Sequence, residues 1–160
     1  MKKVCLHLGT YKTATTYLQS IFYENFSTDK GMFFYPRAGL FGNAHHYLAT
    51  PEFPGWKNGV SLQEYEIAWR KLIDELSECE SKSIIISSEM FCTVKDEHIR
   101  IIEYMLRNYE LKAIIYLRHQ EEYIASLASQ LIKGCNGRME VYTSLERSVE
   151  YSKSSRMIDY

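Results

Sequence analysis

The sequence has almost no net charge, no paired-cysteine motif, no long apolar run and only 3 prolines in 160 residues. Each absence excludes something. Lysine and arginine total 19 against 20 acidic residues, so no global field draws the chain to nucleic acid or to an anionic membrane, and any anion site must be local. Cys5, Cys79, Cys92 and Cys135 are widely separated, without a C-x-x-C pair. That pattern fits neither a disulfide framework nor a zinc site, and the thiols read as reduced and structural. The apolar run after Met1-Lys2-Lys3 stops at Gly9, too short for a signal-peptide core or a membrane span, so a soluble, cytoplasmic protein is expected. All 3 prolines fall between Pro36 and Gly59, together with several glycines. An extended loop or lid is expected there, of the kind that often carries function.

What is present is an alternation of strand and helix patterns, with no internal repeat and no low-complexity linker. A content of 46% hydrophobic residues over 160 positions suits one core and a single domain spanning 1–160. Val4 to Leu8, Met32 to Tyr35, Ser83 to Ser87 and Ala113 to Leu117 read as short strands. Leu18, Ile21, Phe22 and Phe26 repeat at helical spacing, as do Ile101, Ile102, Met105, Leu106 and Tyr109, and later Tyr123, Ile124, Leu127 and Leu131. Ser61-Leu62-Gln63-Glu64 is a capping box ahead of a helix whose apolar face is Leu62, Tyr65, Trp69, Leu72, Ile73 and Leu76. Strand, helix, strand order predicts an α/β fold, an open parallel sheet with helices on both faces.

The most informative segment joins the first strand to the first helix. Gly9-Thr10-Tyr11-Lys12-Thr13-Ala14-Thr15-Thr16 is a small-residue, hydroxyl-rich turn with one lysine. Backbone N–H groups at a helix start lack intrahelical partners and the helix dipole favours negative charge, so an oxyanion suits this position. The ATPase loop G-x-x-x-x-G-K-[ST] has glycine directly before lysine, whereas Tyr11 precedes Lys12 here. A second anion site is suggested by Arg118, which follows the Ala113 to Leu117 strand pattern, and Ser126 in the next helix. A planar guanidinium can give one phosphate two charge-assisted hydrogen bonds, and a serine hydroxyl can add a third.

Together these segments resemble the sulfotransferases that use 3′-phosphoadenosine 5′-phosphosulfate. Their 5′-phosphosulfate loop reads G-x-x-K-[ST]-[GA]-[ST]-[ST], matched at every fixed position from Gly9 to Thr16, and Arg118 and Ser126 reproduce the family's 3′-phosphate spacing. The resemblance runs from about Val4 to Lys133. It implies a P-loop NTPase-like sulfotransferase core, truncated at the C-terminus, because family members continue past this point with a Gly-rich segment over the adenine. It implies transfer of a sulfuryl group from 3′-phosphoadenosine 5′-phosphosulfate to a hydroxyl or amine of a carbohydrate, lipid or small metabolite, with no metal. Lys12, Thr13, Ala14, Thr15 and Thr16 would hold the 5′ side, Arg118 and Ser126 the 3′-phosphate, and Lys12 would also meet the charge on the leaving oxygen.

Three residues are candidates for the base. Ligands of open α/β sheets bind outside the carboxyl ends of the strands, which selects Ser88 and Glu89 after the Ser83 to Ser87 strand. Glu89 takes a slot comparable to the catalytic histidine of the family's cytosolic branch. The carbohydrate branch uses a glutamate nearer the first loop, where this chain offers Asn43, His45 and His46. A histidine titrates near neutrality, at about 6.5, and can take a proton from an acceptor hydroxyl. His7, within the first strand, reads as a packed residue. Two other classes stay open: a Mg²⁺-dependent P-loop nucleotide-binding protein, and a non-catalytic binding or homo-oligomerisation module, suggested by the short chain and its 13 tyrosines, some of them expected to face a partner.

Overall fold

The computed structural model describes residues 1–52, 60–134, 146–147 and 149–150. The chain divides after Tyr116 into two compact units. The first contains a parallel sheet in the order β2-β3-β1-β4, formed by β1 (Lys3–His7), β2 (Phe33–Phe34), β3 (Ser83–Ser87) and β4 (Glu110–Ile114). Every pairing is parallel, as the alternating pattern predicts. The helices of this unit are α1 (Thr15–Phe26), α2 (His46–Ala49), α3 (Leu62–Glu78) and α4 (Asp96–Leu106), with a 3-10 turn over Glu89–Thr93. The second unit contributes α5 (Gln120–Gly134). Among the described residues no helix is long and apolar enough to cross a membrane.

β1 and β3 carry the core. Val4, Leu6, Ile84 and Ile86 are buried together with Tyr65, Trp69, Leu72 and Leu76 of α3 and Ile102 and Leu106 of α4. α3 starts where the capping box places it. Ser61 Oγ accepts the Glu64 N–H, and the Glu64 carboxylate accepts the Ser61 N–H at 2.8 Å, so two helix-start donors are satisfied reciprocally. Leu62, expected on the apolar face, is exposed instead; it is the first helical residue, where the face has not yet met the sheet. α1 differs more. Its predicted apolar stripe is only half-buried, and its fully buried residues are Thr15 and Gln19, which face the carboxyl ends of the strands.

β4 stops earlier than its apolar run suggests. Its partner β1 ends at His7, paired with Ile114, and after a last bond from Leu8 N–H to Ile114 O at 2.8 Å the chain turns into the loop at Gly9. Without a partner the ladder ends, so Ile115, Tyr116 and Leu117 lie beyond the strand, and Arg118 is not at its last residue. β2 is likewise limited to Phe33–Phe34. Part of the expected loop from Pro36 to Gly59 is the short helix α2, while 53–59 lie outside the described residues. Cys5, Cys79 and Cys92 are free thiols, and Cys135 also lies outside the described residues.

Candidate active site at the carboxyl ends of β1 and β3

The loop after β1 has unusual backbone geometry. Gly9, Lys12 and Ala14 have φ of 52°, 66° and 60°, so three of six residues are left-handed and two of those carry side chains. Such conformations are costly for L-residues and concentrate at functional sites. Where left-handed and right-handed residues alternate, successive N–H groups can face a common concavity of the kind that receives anions. Ala14 is the residue before α1 and has no side-chain oxygen to cap the first turn. The loop is nevertheless fastened. Thr13 Oγ1 donates to Thr10 O at 2.7 Å, and Thr10 Oγ1 donates to Tyr116 O at 3.1 Å, beyond the end of β4.

Gly9 is the point where the loop meets β3. A Cβ there would lie 2.6 Å from Thr15 Cγ2 and 3.4 Å from both Cα and Cβ of Glu89. Its positive φ and this close approach together require glycine. The candidate anion loop and the candidate base are therefore neighbours in the fold, although 80 residues apart in sequence.

The two adjacent histidines are used differently. His45 is fully buried, its N–H donates to Ser87 O at 2.7 Å, and its Nδ1 accepts the Ser87 N–H at 3.1 Å. Its Nε2 then donates to Pro36 O at 2.9 Å. Both ring nitrogens are committed to backbone, and burial lowers its pKa to about 4. As a base His45 is therefore unsuited, which leaves Glu89 and His46 of the three candidates. What it does instead is clasp the end of β3 and bring His46 opposite Ser88. α2 is fixed from its other side by Leu48 O, which accepts from Tyr65 Oη at 2.7 Å and Trp69 Nε1 at 3.1 Å.

His46 and Glu89, by contrast, come together. His46 Nδ1 is 2.8 Å from Ser88 Oγ, and His46 Nε2 is 3.9 Å from Glu89 Oε1. The second Glu89 oxygen, Oε2, accepts from Gln19 Nε2 at 2.9 Å. Both side chains are mostly buried yet reach the surface, at 15% and 17% exposure. Burial lowers the His46 pKa, with the Glu89 charge acting in the opposite direction. His7 is buried with Nδ1 2.7 Å from Ser87 Oγ and its ring against Phe22 and Tyr116. It is the packed residue its strand position suggests.

Sequence reasoning missed Gln19. The signal available was weak: a single amide one helical turn after Thr15, on the face of α1 that the chain buries. In the second unit, Arg118 precedes α5 and its Nε lies 3.2 Å from Glu122 Oε2 as an i,i+4 pair, while Ser126 is half-buried two turns into the helix. Among the described residues no group of three or more His, Cys, Asp or Glu side chains is arranged to hold a metal ion. Comparison of the chain with protein-family models, with curated proteins and with solved structures finds no match.

Proposed function

We propose that this protein is a sulfotransferase using 3′-phosphoadenosine 5′-phosphosulfate, with the first unit carrying the sulfuryl site. The observation that carries this reading is the approach of Gly9 to Glu89, so close that a β-carbon at position 9 would lie 3.4 Å from Glu89; it supports reading the loop as an anion cradle beside the carboxylate–imidazole pair. A group-transfer site needs those two parts together: one to hold a charged leaving group, one to take a proton from the incoming nucleophile.

The donor supplies a sulfuryl group joined to phosphate through a labile S–O bond. Backbone N–H groups of the loop and the hydroxyls of Thr13, Thr15 and Thr16 would hold its 5′ end. Arg118 and Ser126 are assigned to the 3′-phosphate on their spacing. As the acceptor oxygen forms its bond to sulfur, its proton passes to the Glu89–His46 pair. The S–O bond to phosphate breaks, and Lys12 with the start of α1 offsets the charge developing on the phosphate oxygen. The acceptor is a hydroxyl or amine of a carbohydrate, lipid or small metabolite.

Calorimetry with adenosine 3′,5′-bisphosphate, with and without Mg²⁺, tests the reading. Binding should be independent of Mg²⁺ and tighter than that of adenosine 5′-monophosphate by roughly tenfold or more, the worth of a charged hydrogen bond. Equal affinities would overturn it. Mg²⁺-dependent binding of ATP would point to a P-loop nucleotide-binding protein, and no binding of either nucleotide to a non-catalytic module.

A further inference from the structure

The two residues that follow β3 address the same imidazole. Ser88 is completely buried, and its Oγ already accepts the Met90 N–H at 3.1 Å. A buried hydroxyl has one proton to place, and an N–H cannot receive it. Nδ1 of His46, 2.8 Å away, can. Donation from Ser88 requires Nδ1 to be unprotonated, so the ring proton resides on Nε2, the nitrogen turned toward Glu89 Oε1. The reverse tautomer would set the Nε2 lone pair against a carboxylate oxygen. Burial of His46 favours the neutral ring, for which a single tautomer is a defined state.

We propose that Ser88 is a positioning residue that holds His46 as the Nε2–H tautomer, so that Glu89 and not His46 receives the acceptor's proton. The part concerning proton transfer rests on the sulfotransferase reading; the tautomer does not. With Nδ1 accepting from Ser88 and Nε2 carrying hydrogen, the imidazole has no lone pair for an incoming hydroxyl. The carboxylate has several, since each oxygen accepts more than once and Gln19 takes one position on Oε2. The acceptor's proton therefore goes to a Glu89 oxygen as the oxygen–sulfur bond forms. His46 stands beside that carboxylate and turns an N–H dipole on its charge.

The test is a two-bond ¹⁵N–¹H correlation spectrum of the whole chain with labelled histidine at slightly alkaline pH, with His46→Gln identifying the His46 signals among the 5 histidines. In the wild type His46 should show a protonated Nε2 and an unprotonated Nδ1. Ser88→Ala should shift the tautomer ratio toward Nδ1–H by roughly 2- to 12-fold, the loss of one hydrogen bond, and Ser88→Thr, which keeps the hydroxyl, should restore it. An Nδ1–H or doubly protonated His46 in the wild type overturns the proposal, as does an unchanged ratio in a folded Ser88→Ala chain. If that variant fails to fold, the wild-type spectrum decides. A chain that binds adenosine 3′,5′-bisphosphate but carries His46 as Nδ1–H refutes the positioning role and leaves the sulfotransferase reading. One with Nε2–H and no nucleotide binding does the opposite.

Discussion

β3 and β4 flank the same strand in the same parallel sense, and both are apolar runs, yet they have different fates. β3 lies between β1 and β2, and Ile86 is fully buried, whereas β4 has no further strand beside it among the described residues and Ile114 is 44% exposed. β2 pairs only with the start of β3, at Ser83 and Ile84, and the carboxyl end of β3 is fixed instead by His45, which is hydrogen-bonded to both the N–H and the C=O of Ser87. That is where Ser88 and Glu89 stand, with His45 clasping Ser87 and Gln19 on the carboxylate. Past β4, Arg118 pairs with Glu122, four residues on in the first turn of α5. The comparison separates candidate base residues held by several elements of the first unit from a candidate phosphate-binding arginine paired with a glutamate four residues on.

The comparison breaks most sharply at the inner strand's end. Glu89→Gln should reduce turnover by about 10²- to 10⁴-fold, the range for a lost general base, with donor affinity nearly intact. Steady-state rates with a proven acceptor, alongside calorimetry, check this. An equal loss of donor binding would make Glu89 a binding residue instead. Packing gives the next largest contrast. Ile86→Ala should cost about 2–5 kcal/mol, and Ile114→Ala about 1 kcal/mol or less, by denaturant unfolding. Similar costs would mean that burial does not distinguish the strands.

Acid should weaken the clasp at the end of β3. His45 titrates at about 4 in the folded chain and near 6.5 unfolded. Between those values the unfolded chain binds more protons, so stability falls as pH decreases through this window, by about 3 kcal/mol for this ring. His7 and His46 have lowered pKa values too and add in the same direction. Unfolding free energies across this range should fall less steeply in His45→Gln than in the wild type; parallel curves would remove His45 as the cause. The smallest effect concerns the outer side. Arg118→Ala should weaken adenosine 3′,5′-bisphosphate binding by about 1.5–3 kcal/mol. Arg70→Ala, which breaks a similar i,i+4 pair with Glu66, should leave it unchanged. Equal effects of the two substitutions would sharpen the site to the Lys12 loop alone.

The parts of the fold that were legible in sequence are those with local causes. The capping box at Ser61, the Ile84-Ile85-Ile86 strand and the turn at Gly9 each declare themselves within a few residues. The end of β4 does not, because it is imposed by the end of its partner β1. The site divides in the same way. Glu89 was legible from its place after a strand. His45 and His46 were not distinguishable, since which ring is bound to backbone depends on Ser87, 42 residues away. Gln19 was hidden because its partner Glu89 is 70 residues distant.

Gly9 gives this fold a genetic signature. A methyl group there would strike Thr15 and come within 3.4 Å of Cα and Cβ of Glu89, so positions 9 and 15 cannot vary independently. Thr15→Ser removes the atom that a β-carbon at position 9 meets first, which makes it the natural second-site suppressor of Gly9→Ala. Relief would be partial, because the left-handed φ and the Glu89 contact persist. A larger residue at position 9 is thus accessible to this sequence only together with a smaller one at position 15.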